Sequence, residues 1–321
     1  MTHKNLCRTT NNIQSTYGLN SSDRTLLVMP LFHVHGLLAA FLTPLMSGGS
    51  CIIPARFSAS DFWTDFVRHE ATWYTAVPTI HQILLKNPLP RPMPSIRFIR
   101  SCSSPLSPTT HKQLETLFGA PVLEAYAMTE AAHQMTSNPM PPAVRKPGSV
   151  GVPQGLSLRI MDDEGFPLPH GTIGEVCVSG SNVTSGYLGD PSIVASPFTE
   201  SGYLRTGDQG YVDKDGYLFL TGRIKELINK GGEKISPIEI DNLLSQHPSI
   251  AEAVSFAIDD ELYGQNVAAA VVLKEDATVS KEDLTTWFGA RAVKFKIPKV
   301  ICYPILTLRS IRRAVLTMAM L

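Results

Sequence analysis

Neither sign of charge is in surplus: 28 Lys and Arg stand against 28 Asp and Glu. No polyanion, whether nucleic acid or anionic membrane face, is steered to such a chain by its overall field. Cysteine is scarce and unpatterned. Cys7, Cys51, Cys102, Cys177 and Cys302 are odd in number and never spaced as CxxC, which excludes a disulfide framework and a zinc site. They read as reduced, mostly packed thiols of an intracellular protein. The polar start MTHKNLCRTTNNIQ has no apolar core, so it does not read as a secretory signal. Repeats and low-complexity tracts are missing too. The one stretch long enough to span a bilayer, LLVMPLFHVHGLLAAFLTPLM at 26–46, is interrupted by Pro30, His33, His35, Gly36 and Pro44. It reads as a strand, a turn and a buried helix. A cytoplasmic protein without membrane or nucleic-acid partners is expected.

What is there is a chain of 321 residues, 43% hydrophobic and 17% charged, enough for two globular domains. Residues 1–120 alternate strand-like runs (TLLVMP, SCIIPA, TWYTAV, SIRFIRSCSS) with helix-like ones (LLAAFLTPLM, ASDFWTDFVRHE, TIHQILLK, PTTHKQLETLFG), predicting α/β layers with a partly parallel sheet. From about 148, short strands broken by DDEG and DKDG predict antiparallel hairpins. After Gly222 a compact α+β unit is expected, with IEIDNLLSQ and SKEDLTTWFGARA as helices and EAVSFAID and NVAAAVVLK as strands. The charged, glycine-bearing TGRIKELINKGGEK lies between.

Three stretches carry chemistry. In YAMTE, Tyr126 offers a stacking face, Thr129 a hydroxyl for a phosphate oxygen, and Glu130 a carboxylate for Mg²⁺, which takes one or two carboxylates plus substrate phosphates. A strand end capped by Thr129 with Glu130 solvated reads equally well. In YLRTGDQGYVDKDGYLFLTGR, Asp208 lies between glycines and could accept ribose hydroxyls, with Arg223 donating to the sugar or a phosphate; alternatively TGD and TGR are plain hairpin turns. In PLFHVHG, two histidines end an apolar strand, one of them expected to be a core residue.

In this order, PLFHVHG, SCSSPL, YAMTE, YLRTGD and GRIKELINKGGEKISPIEI resemble the adenylate-forming superfamily of acyl-CoA synthetases, 4-coumarate–CoA ligases and luciferases. YAMTEAAHQMTSNP is most similar to the oxalate–CoA ligase group of fungi and plants. The resemblance, which covers residues 1 to about 300, implies an acid–thiol ligase that turns a carboxylate and MgATP into acyl-AMP and pyrophosphate, then passes the acyl group to coenzyme A. It implies an α/β fold: a large AMP-binding domain over 1–221, with a small antiparallel β part, a hinge at 222–225, and a small α+β domain over 226–321. It places adenine against Tyr126, Ser103, Ser104, Pro105 and the Glu124–Ala125 backbone, the α-phosphate at Thr129, Mg²⁺ at Glu130, and the ribose at Asp208 and Arg223. Lys225 falls at the hinge, and Lys230, with Gly231 and Gly232, where nucleotide or pantetheine is contacted. His33 falls at the gate beside the incoming acid. His133, helped by Ser101 and His33, would donate to the second carboxylate of an acid as small as oxalate, since a buried unpaired charge is costly. A fatty-acyl pocket would be apolar there. An amino-acid-activating relative would need a carboxylate near residue 33, and none is present.

The chain departs from that pattern at both ends. The family's Ser/Thr/Gly-rich loop ending in PKG, which wraps the β- and γ-phosphates, precedes a TH-x-N segment; THKNL stands here at residues 2–6. The loop, and roughly the first third of the family's length, are therefore expected to be missing. The family closes on PKTxxGK, whose lysine serves adenylation. Here PILTLR stands instead, with Arg309 near the lost lysine, and a planar guanidinium is a poor substitute for an ammonium. The end MAML is not the SKL-type peroxisomal signal found in the subgroup. Impaired adenylation is the expectation, with a non-catalytic nucleotide-binding remnant or an incomplete gene model as the alternative.

Overall fold

A computed structural model of the chain describes residues 1–189 and 197–303. Two compact units emerge, Met1–Thr206 with Gly210–Leu220, and Gly207–Gln209 with Thr221–Leu321.

The first unit opens on a helix that the hydrophobic pattern did not announce, α1 (His3–Tyr17). Its signal is a capping box: Thr2 Oγ1 accepts the Asn5 N–H while Asn5 Oδ1 accepts the Thr2 N–H. Gly18, at φ 55°, ends it. Its buried face is largely polar, with Asn5, Thr9, Thr10 and Asn12 beside Ile13 and Tyr17, which is why apolar periodicity missed it.

The strands β1 (Arg24–Leu26), β2 (Ser50–Ile52), β3 (Trp73–Ala76), β4 (Phe98–Ser101), β5 (Val122–Met128), β6 (His133–Ser137) and β7 (Val152–Pro153) form one sheet in the order β2-β1-β3-β4-β5-β6-β7. From β2 to β5 neighbours are parallel; β6 and β7 add antiparallel. Every residue of β3 and β4 is buried, as expected for a parallel sheet covered on both faces. Helices α2 (Thr43–Met46), α3 (Phe62–Arg68), α4 (Pro78–Lys86) and α5 (Pro108–Phe118) complete these layers. Residues 26–46 resolve into β1, a turn, a π-helix (His35–Leu42) and α2. Gly36 is required where that π-helix begins, because a Cβ there would lie 2.2 Å from the Pro30 carbonyl oxygen. Among the described residues no helix is long and apolar enough to cross a membrane.

A second sheet runs β11-β10-β9-β8, from β8 (Ser157–Met161), β9 (Gly174–Ser179), β10 (Leu204–Val212) and β11 (Leu218–Arg223). DDEG and DKDG form the expected turns, Asp162 and Asp213 each accepting backbone N–H groups within them. The remaining strands, β12 (Ile228–Lys230), β13 (Glu233–Ile235), β14 (Ile250–Asp260), β15 (Gly264–Leu273) and β16 (Val300–Cys302), belong to the second unit. They pack with α6 (Pro237–Leu244) and α7 (Lys281–Gly289) around a core of Ile228, Ile240, Leu244, Val267, Leu284 and Phe288. The mixed α/β class expected from the sequence is the observed one.

Candidate active site

In open α/β sheets, chemistry gathers beyond the carboxyl ends of the parallel strands. PLFHVHG follows β1, SCSSPL closes β4, and YAMTE closes β5.

YAMTE is a reversal between two strands. β5 ends at Met128, Thr129–Ala131 make one 3₁₀ turn, and Ala132 (φ 50°) and His133 (φ 97°) swing the chain back into β6. Two successive non-glycine residues at positive φ store strain that the surroundings must hold. Thr129 is exposed and caps nothing, which removes the bland reading of a capped strand end. Glu130 is half-buried, its Oε1 accepting the Tyr187 hydroxyl at 2.7 Å. Tyr126 is only 8% exposed and packs with Ala131, Met135, Ile160 and Val176. Glu124 is buried, its carboxylate accepting the Gly148 N–H at 2.9 Å; burial pushes its pKa up to about 7. Ala125 is buried beside it, whereas Ser103, Ser104 and Pro105 are exposed after β4.

Of the two histidines in PLFHVHG, one is a core residue, as expected. His33 is exposed, its Nδ1 accepting the His35 N–H. His35 is the buried one, and it is His35, not His33, that stacks on His133, with centroids 5.2 Å apart and planes at 27°. His35 Nε2 lies 2.6 Å from Thr75 Oγ1 and its Nδ1 3.1 Å from Ser103 Oγ.

Beneath these rings lies a residue the sequence reading did not select. Arg100, on β4, is fully buried. Its Nε donates to Tyr17 Oη at 2.8 Å, Nη1 to Thr75 Oγ1 at 3.2 Å and Nη2 to Gln134 Oε1 at 3.2 Å. Every one of these acceptors is neutral, and no carboxylate pairs with Arg100 among the described ion pairs. A buried guanidinium without a counter-charge is rare. Burial first, and then this cation, hold His35 and His133 far below the usual imidazole range, so both rings are neutral at pH 7. Among the described residues the Oγ of Ser101 and Nε2 of His133 are buried without a hydrogen-bond partner, and buried orphans call for an explanation. A buried strand carrying an arginine was the signal that sequence inspection could have used.

In the second unit, Asp208 and Arg223 lie inside β10 and β11, so TGD and TGR are not turns. Arg223 Nε is 3.2 Å from Asp208 Oδ1, the carboxylate buried and the guanidinium largely exposed. Lys225 is exposed in a 3₁₀ turn. Lys230 donates to the Phe295 carbonyl at 3.0 Å, and Gly231 and Gly232, at φ 61° and 93°, form the tip between β12 and β13. Arg309 lies outside the described residues.

No cluster of three or more His, Cys, Asp or Glu suited to a metal exists among the described residues. The single accessible carboxylate of Glu130 fits Mg²⁺, which keeps several waters and draws its other ligands from substrate phosphates.

The family described as AMP-binding enzyme matches residues 1–188, and its C-terminal domain matches residues 239–307. An oxalate–CoA ligase of Saccharomyces cerevisiae is 52% identical over 302 residues, covering 94% of this chain and 56% of its own length. One of Arabidopsis thaliana is 50% identical, with 93% and 59% covered. The ATP-bound crystal structure of MatB from Rhodopseudomonas palustris superposes with a TM-score of 0.90 at 31% identity, over 98% of this chain and 64% of that one. The chain thus spans somewhat more than half the length of the relatives it matches.

Proposed function

The chain belongs to the AMP-binding enzyme family, and from that premise we propose that it holds the nucleotide- and acid-binding residues of an acid–thiol ligase of the adenylate-forming type, acting on oxalate or another short dicarboxylic acid. The observation that carries the choice of acid is Arg100, a buried cation without a counter-ion among the described residues, with the orphaned Nε2 of His133, whose ring stacks on that of His35 beside the guanidinium. A second carboxylate would supply the missing charge and acceptors together; a fatty acyl chain would supply neither.

On this reading Thr129 donates to the α-phosphate, Tyr126 and the Glu124–Ala125 backbone border the adenine, and Asp208 with Arg223 orient the ribose. Glu130 is the residue that would hold magnesium, which when bound neutralises phosphate charge during acyl-adenylate formation. His33 guards the entry of the acid. Lys225, Lys230, Gly231 and Gly232 serve the thioester-forming step with coenzyme A, the domains being 1–221 and 226–321 about a hinge at 222–225. Cytoplasmic location accompanies this reading.

A second reading, nucleotide binding without turnover, is favoured by one observation: PILTLR stands at 304–309, without the glycine and lysine of a PKTxxGK segment. Calorimetry on the purified chain tests the first reading. AMP is expected to bind, and oxalate to bind in its presence; Arg100→Met should abolish the oxalate signal, and Arg100→Lys, which keeps the charge and loses the fork, should weaken it. Acyl-CoA formed from a supplied acyl-AMP separates turnover from binding alone. Absence of AMP binding, or hexanoate binding as well as oxalate, would overturn the proposal.

A further inference from the structure

Glu130 is gripped from outside its own turn by residues 181–187, a stretch the chemistry above leaves unused. The Thr184 N–H donates to the Glu130 carbonyl at 2.7 Å, and the Tyr187 hydroxyl donates to Glu130 Oε1 at 2.7 Å. Behind them, buried Asn182 donates from Nδ2 to the carbonyls of Ala131 at 3.0 Å and Gln134 at 3.2 Å. Asn5 of α1 donates in turn to the carbonyls of Ser181 and Val183, at 3.0 and 2.9 Å. Asn5, which completes the capping box of α1, is therefore tied through one strap to the turn that carries Thr129 and Glu130. The strap is anchored at its base by buried amides and ends in a phenol that is 54% exposed.

We propose that Tyr187 is a positioning residue for a divalent cation at Glu130, an inference that rests on the nucleotide-binding reading. As a contribution to stability alone, a half-exposed hydrogen bond to a carboxylate is worth little, because water competes for both partners. As a device for ligation it is well suited. With Oε1 held by a neutral O–H, the carboxylate keeps one orientation and still has Oε2 for a metal. Mg²⁺ demands near-ideal octahedral geometry, and a ligand fixed in advance meets that demand without an ordering penalty. A lysine in the place of Tyr187 would grip the same oxygen but oppose the cation; the phenol carries no charge. Hydrogen bonds onto metal-ligating carboxylates are generally worth about 10–100-fold in metal affinity, and exposure places this one near the lower bound.

The test uses the whole chain with Mn²⁺ as a paramagnetic stand-in, at saturating AMP, following loss of the free-ion resonance signal. Wild type is expected to take up Mn²⁺ in an AMP-dependent manner, Glu130→Gln to lose that uptake, and Tyr187→Phe to weaken it about tenfold. AMP affinity without metal, measured by calorimetry, and the melting temperature should be the same in Tyr187→Phe as in wild type, since the ring stays in place. If Tyr187→Phe binds Mn²⁺ as tightly as wild type while Glu130→Gln does not, the positioning role is refuted and the nucleotide reading stands. Equal losses of AMP and Mn²⁺ affinity in Tyr187→Phe would refute it as well, by making the residue structural. No AMP-dependent uptake by wild type would overturn both.

Discussion

Replacing Glu124 by glutamine should stabilise the protein, and by an amount that grows with pH. The carboxyl lies on β5, in register with Ser101 of β4, and is buried. Burial raises its pKa from 4.5 to about 7, only partly offset by the hydrogen bond from the Gly148 N–H. A carboxyl whose folded pKa is raised gives stability that is complete below the unfolded value and is lost as pH climbs through the folded one. At about 1.4 kcal/mol per pH unit, the interval between 4.5 and about 7 corresponds to a penalty of about 3 kcal/mol near pH 8, and of about 1 kcal/mol near pH 5. Glutamine keeps an oxygen for Gly148 and removes the charge. Urea unfolding at both pH values, for wild type and Glu124→Gln, gives the assay. With a slope of about 2 kcal/mol per molar, the variant's midpoint should lie about 1.5 M higher near pH 8 and about 0.5 M higher near pH 5. The difference between the two proteins is the quantity to read. His35, His81 and His133 are also buried, with pKa values driven down chiefly by burial, His81 to about 3. They withdraw stability as pH falls below the ordinary imidazole range, in wild type and variant alike, so they cancel. An advantage of Glu124→Gln that is the same at both pH values would refute the reasoning.

Gly151→Ala should leave little folded protein, because at φ 80° its Cβ would sit 1.8 Å from the Ser137 carbonyl carbon. Gly119→Ala, with open space around its Cβ, should lower stability by only about 1–2 kcal/mol, and equal behaviour of the two in a thermal melt would show the contact to be wrong. Asp23→Asn breaks a pair in which Arg97 Nη1 meets both carboxylate oxygens at 2.9 Å. With the acid buried and the arginine partly exposed, a loss of about 2 kcal/mol is expected from denaturant midpoints. Affinity for a dicarboxylate should be level from about pH 6 to about pH 8, since a permanently charged Arg100 and two neutral histidines supply the site; a tenfold weakening per unit above about pH 6.5 would assign the charge to a histidine instead.

Most of the fold was legible because its signals are local. Runs such as TWYTAV and SIRFIRSCSS are apolar on both faces and became buried parallel strands, while DDEG and DKDG carry their own turn chemistry. α1 escaped for a physical reason. Its inner face satisfies itself with amides and hydroxyls in place of aliphatic side chains, so it has caps but little apolar stripe to find. The π-helix escaped too, since HGLLAAFL reads as any buried helix. What forces its start is the approach of Gly36 to the Pro30 carbonyl, a contact with no trace in residue spacing.

The candidate site divides along the same line. PLFHVHG, SCSSPL and YAMTE were found as words, and the parallel sheet sets each at a strand's carboxyl end. Which of His33 and His35 is the core residue was not legible, because two residues apart in sequence means exposed and buried here, decided by a turn at residues 31–33 that precedes the π-helix. Arg100 was passed over because a basic residue within an apolar run is usually taken for a strand edge. Its neighbours Tyr17, Thr75 and Gln134 come from α1, β3 and β6, three elements that only the completed sheet assembles. The cation is thus prepared by residues with no shared motif, and it adds to burial, the larger cause, in keeping the adjoining histidine pair neutral. In the proposal, His133, helped by Ser101 and His33, is the hydrogen-bond donor to a second carboxylate, and Arg100 of β4, which sequence inspection did not select, would add the charge.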